Sequence, residues 1–179
     1  MKRVRAALLA SIVCLPGGLL ADPAASVTAL GSFSNERFTE EHQYGAGLDL
    51  WRTGKGLVGL FSYSDGLAGD TPSGLIERVA LDPKRRRLEF TAKLTLGRHS
   101  CKVHTDVPSR DLFAFNGTLT DVAISGTLTH TDGLHPESAP STENVTLRKS
   151  ADMDPAEYRN EEEWKAAMND ILRRRGPKW

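Results

Sequence analysis

A chain of 179 residues in which 23 basic side chains balance 23 acidic ones has no concentrated positive field for phosphates, so nucleic acid is not an expected partner. The length suits one domain around one core. Two cysteines, one of them near the amino terminus, offer no disulfide frame, so stability has to come from packing.

The chain opens MKRVRAALLASIVCLPGGLLADP. Lys2, Arg3 and Arg5 precede an apolar run from Ala6 to Leu15, and Pro16-Gly17-Gly18 break it. This is the pattern of a secretory signal over residues 1–21, with cleavage expected after Ala21. The run falls well short of the roughly 20 apolar residues that a membrane-spanning helix needs, so the mature chain is expected to lack a transmembrane segment. Export to the periplasm or the exterior follows. Processing would remove three of the basic residues and none of the acidic ones, leaving Cys101 as the single cysteine.

From Ser26 to Arg148 the apolar residues recur every second position, the period of a strand with one dry face. Eight segments show it: 26–33, 44–51, 57–64, 74–81, 88–96, 112–119, 122–130 and 144–148. In LEFTAKLTL, Leu88, Phe90, Ala92, Leu94 and Leu96 alternate with polar neighbours. In YGAGLDLW, Tyr44, Ala46, Leu48 and Leu50 share one face, and Gly45, Gly47, Asp49 and Trp51 share the other. Turn chemistry at Thr53-Gly54-Lys55-Gly56, Asp82-Pro83-Lys84-Arg85 and Thr120-Asp121 joins successive segments tightly, which makes them antiparallel neighbours.

An antiparallel meander of eight strands hides its edges best by closing. The expected architecture is therefore a mainly β, up-and-down barrel over residues 22–150, with a two-sheet β-sandwich as the alternative that alternation leaves open. The plan of signal, meander and terminal helix resembles that of calycin barrels such as the lipocalins. Gly31-Ser32-Phe33 resembles their Gly-x-Trp motif, with Phe33 at the tryptophan position. The resemblance implies a barrel and carries no site residue.

Residues 151–179 change period. Asn160 is a candidate N-cap with Glu163 three positions on; Trp164, Met168, Ile171 and Leu172 follow at helical spacing, and Gly176-Pro177 stops the run. This C-terminal helix is expected to pack on the outside of the barrel, against the face carrying Gly45, Gly47 and Trp51, where missing side chains allow close approach.

The chemistry-bearing residues fall in four places. His42 and Tyr44, within EEHQY, share the inward face of Leu48 and Leu50 at the entrance of a strand. With Phe90 and Ala92 they are the candidate lining of a ligand site, and the glycine-rich stretch 63–74, with Asp65 and Asp70, is the candidate loop at its mouth. His99, Cys101 and His104 have ligand-like spacing, but on an extended strand His104 would point away from the other two, and the spacing matches no established zinc pattern. Lys84 to Arg87 read as a solvated hairpin tip.

The expectation is a non-catalytic exported protein that binds a small, largely apolar molecule or a cell-envelope partner. Two alternatives stand beside it: an enzyme with an acid/base or metal site near His42/Tyr44 or His99/Cys101/His104, and a filled barrel acting through its surface as inhibitor or scaffold. No cofactor is indicated.

Overall fold

The computed structural model describes residues 26–40, 42–67, 71–95, 97–99, 107–151 and 155–175. Eight strands form the barrel: β1 (Thr28–Ser34), β3 (His42–Thr53), β4 (Gly56–Leu67), β5 (Ser73–Asp82), β6 (Arg87–Lys93), β9 (Leu112–Leu119), β10 (Ala123–Thr131) and β11 (Ser141–Lys149). They pair antiparallel in the order β1-β3-β4-β5-β6-β9-β10-β11, and β11 returns to β1. That return closes the sheet, which separates a barrel from a sandwich. All eight segments marked by two-residue alternation are strands, and the signal segment lies outside the described residues.

Three short strands are additional. β2 (Arg37–Phe38) continues β1 along the same edge of β3: Ser34 pairs with Gly47, Arg37 with Tyr44 and Phe38 with Gln43. The Thr39 amide donates to the His42 carbonyl at 2.8 Å, so β1, β2 and β3 make one long hairpin. β7 (Arg98–His99) and β8 (Val107–Pro108) pair with each other in the connection between β6 and β9.

One end of the barrel is closed by the tight turns seen in the sequence. The Thr53 hydroxyl receives the Lys55 amide at 3.1 Å, the Asp82 carboxylate receives the Lys84 and Arg85 amides at 2.9 and 3.1 Å, and the Thr120 hydroxyl receives the Ala123 amide at 3.0 Å. Each is a short polar side chain supplying the acceptor that the turning backbone lacks. The opposite end, the rim, carries the longer connections. There the expected loop over 63–74 is corrected: Tyr63 to Leu67 are ladder-paired to Ala46 through His42, so β4 runs on to the rim as far as Leu67, and Ser73 and Gly74 already belong to β5.

Side chains fill the interior. Leu48, Leu50, Leu88, Leu94, Ile124, Leu128 and Leu147 are essentially inaccessible. An aromatic column rises through them: Phe115 stacks on Phe90 at 5.1 Å, and Phe61 lies 5.8 Å from Phe90 and 5.2 Å from Phe113. Tyr63 and His130 follow at 4.7 and 4.6 Å from Phe113. The outward faces are polar; on β10 and β11 the hydroxyls of Ser125 and Thr146 lie 3.1 Å apart and those of Thr129 and Thr142 3.3 Å apart.

Helix α1 (Glu161–Arg175) lies outside the barrel. Asn160 caps it, its side-chain oxygen accepting the Glu163 amide at 2.9 Å. Trp164 and Met168 bury against Trp51, with Val58, Leu60 and Leu75 around them. The expectation that Gly45 and Gly47 receive the helix is corrected. A Cβ on Gly45 would meet Asn35 Oδ1 at 2.7 Å, and one on Gly47 would meet Ser62 Oγ at 2.7 Å and Glu36 Oε1 at 3.3 Å, so the turn after β1 and the Ser62 side chain fill that space. The helix packs at the Trp51 end of that same outward face, as expected, on the apolar patch of Trp51, Val58, Leu60 and Leu75. No helix among the described residues is long and apolar enough to cross a membrane.

Candidate functional site

Between β1/β2 and β11 the barrel wall is laced only at the lower half. Phe33 pairs with Lys149 and Ser34 with Arg148, and above them the two edges separate. A cleft of about 430 Å³ sits in this seam at the rim, lined by Asn35, Arg37, Tyr44, Ala46, Tyr63, Ser64, Asp65, Glu143 and Val145 among others. The pleat decides who faces it. Arg37, Tyr44, Asp65 and Glu143 are the rim-end members of the inward-facing sets whose deeper members, Ala46 and Val145, are buried. Where the apolar alternation runs out, charged and phenolic groups continue it into solvent.

Asn35 shapes the side of the cleft. Its amide donates to the Ala46 carbonyl at 3.1 Å, and its side-chain oxygen accepts the Ala46 amide at 2.8 Å, so one side chain stands in for a ladder partner. Gly45 makes this approach feasible with φ of 115°, a conformation a side chain would resist. Ser64 lies in the same wall, 5% exposed, and its hydroxyl has no hydrogen-bond partner.

Across the mouth, His130 Nε2 and Asp111 Oδ1 are 2.8 Å apart, and the Ser109 hydroxyl donates to Asp111 Oδ2 at 2.7 Å. The carboxylate stands between the hydroxyl and the imidazole, so no base is placed against Ser109. This order builds a latch rather than a nucleophile. It ties the connection after β6 to the end of β10, assisted by the Leu94 amide donating to the Asp111 carbonyl at 2.9 Å. The hydrogen bond to Asp111 raises the His130 pKa above the usual histidine value, while burial opposes it. The Tyr63 phenol is pushed up to about 12 by burial, reinforced by Glu143, Asp65 and Asp111. At neutral pH it is a neutral ring under a negative rim.

The residues expected from the sequence divide between rim and core. Tyr44, 38% exposed, and Asp65 are paired neighbours on β3 and β4 at the rim, and His42 stacks on Tyr44 with ring centroids 5.9 Å apart. Leu48, Leu50, Phe90 and Ala92 are at most 2% exposed and pack in the core below the cleft. Asp65 belongs to strand β4 rather than to a loop. Asp70, Cys101 and His104 lie outside the described residues, as does the His99 side chain. Among the described residues no group of His, Cys, Asp and Glu is arranged to hold a metal ion.

Arg37, Glu143 and the His130–Asp111 pair were not singled out by sequence reasoning as ligand-site residues, and Tyr63 entered only as the first residue of the expected 63–74 loop. The signal was present for Glu143 and His130, which extend the inward sets of Val145 and Leu128 by one step each. Comparison with protein-family models, curated proteins and solved structures finds no match for this chain.

Proposed function

We propose that the chain is an exported, non-catalytic binding protein that takes a small molecule at the rim of a filled barrel. One observation carries the reading: a cleft of about 430 Å³ opens at the seam, with Arg37, Asp65 and Glu143 side chains around it that are committed to no partner among the described residues. Apolar parts of the ligand rest on Tyr44, Tyr63, Ala46 and Val145, because the deeper apolar positions are already packed against one another. Export is supported by the charged, apolar and small-residue pattern of residues 1–21.

Native mass spectrometry of protein isolated from its own host tests the reading. A retained small-molecule mass that is lost in Tyr44→Ala is the expected result. A bare protein mass, or a retained mass indifferent to Tyr44, sinks it. A partner protein recovered through Phe38, 67% exposed beside the cleft on β2, would favour action through the surface instead.

A further inference from the structure

We propose that the rim cleft recognises a small zwitterion, with an ammonium and a carboxylate on one molecule as in a free α-amino acid; this rests on the reading that the cleft binds a small molecule. Arg37 reaches the cleft from β2 on one side of the open seam and Glu143 from β11 on the other, while Asp65 enters from β4 beside Tyr44. Opposite charges that share a cleft ordinarily pair. Among the described residues these do not: no ion pair joins Arg37 to Asp65 or Glu143, and none of the three makes a side-chain hydrogen bond. The open seam lies between Arg37 and Glu143, and strand β3 lies between Arg37 and Asp65.

A ligand bearing both charges completes the arrangement. Its carboxylate meets the guanidinium, whose planar fork matches two oxygens at once. Its ammonium meets Glu143 and Asp65, with the rings of Tyr44 and Tyr63 beside them as faces that attract a cation. Two carboxylates against one guanidinium leave the cleft negative, so an acid without an amine is repelled and an amine without an acid leaves Arg37 unused.

The test is isothermal titration of the full processed chain with each of the twenty standard amino acids. The best binder is then compared with its decarboxylated amine and its deaminated acid. At least one amino acid is expected to bind, and both singly charged analogues to bind at least about tenfold more weakly, the scale of one lost hydrogen bond to a charged group. Arg37→Gln and Glu143→Gln are each expected to weaken the amino acid by about tenfold or more. Both positions are exposed, and unchanged thermal melts verify that the variants fold.

Equal binding of an analogue, or indifference to either substitution, overturns the inference. So does a panel in which no amino acid binds. If native mass spectrometry still shows a retained mass dependent on Tyr44, the rim-binding reading survives and only the zwitterion falls. If neither binding nor a retained mass is found, both fall.

Discussion

Trp51 of β3 and Trp164 of α1 meet edge to face outside the barrel, their ring centroids 6.0 Å apart and their planes 64° from parallel. Trp51 also donates its indole N–H to the Ala156 carbonyl at 2.8 Å and lies 6.0 Å from Tyr158, so the chain leading into the helix is fixed before the helix begins. This second apolar cluster is separate from the barrel interior and turns an amphipathic stretch of chain into a docked element.

Truncation of the helix anchor has a defined cost. Trp164→Ala is expected to destabilise the fold by about 3 to 5 kcal/mol, the range for removing a buried aromatic side chain. Urea unfolding read by far-UV circular dichroism measures it. A loss under about 1 kcal/mol would mean that the helix is not held by this contact.

Stability should depend on pH through His130. Its folded pKa stands above the unfolded value of about 6.5 because of the hydrogen bond to Asp111, partly opposed by burial, with Asp132 and Asp65 adding negative charge nearby. A proton held more tightly in the folded state stabilises fully below the unfolded value, and that stabilisation is lost as pH rises through the folded one. The urea midpoint is therefore expected to fall as pH rises above about 6.5, and to fall less in His130→Gln. His135, raised by its bond to Asp132, remains in both proteins and cancels in the comparison. Equal slopes for the two proteins would contradict the latch.

Gly117 and Gly126 are paired directly across β9 and β10, and both face inward. A Cβ on Gly126 would press on the Asn116 carbonyl oxygen and lie 2.9 Å from Phe115 Cζ, and one on Gly117 would press on the Ser125 carbonyl oxygen and lie 2.6 Å from the same ring atom. The glycine pair thus forms the recess that receives the Phe115 ring at the foot of the aromatic column. Gly126→Ala is expected to cost about 1 to 3 kcal/mol by overpacking. Thermal melts of Gly126→Ala beside an outward control, Ser125→Ala, separate this recess from a general strand effect. Similar losses in the two would refute it.

Much of the barrel was legible because strand alternation is local: Leu88, Phe90 and Ala92 declare an inward face without reference to any distant residue. The same rule, carried one step past the last apolar residue, reaches Glu143 and His130. It misled at 63–74, where serine, aspartate and glycine suggested a loop although the pairing of Tyr63 to Leu67 with β3 satisfies their backbone as strand. It was also silent on Gly45 and Gly47, whose missing side chains equally suit a helix or the Asn35–Glu36 turn.

The sequence by itself determined the eight strands, the tight turns at the closed end and the capped helix, since each follows from neighbours within a few positions. Only the tertiary structure decided that β11 meets β1 at Phe33 and Ser34 and then parts from it, and that Arg37 and Glu143 face one cleft from opposite sides of that opening. The joining of Asp111 to His130 belongs to the same class. The reason is geometric. Closure of a barrel depends on the stagger accumulated over all its strands, and an alternation of period two carries the face of each residue but not the stagger.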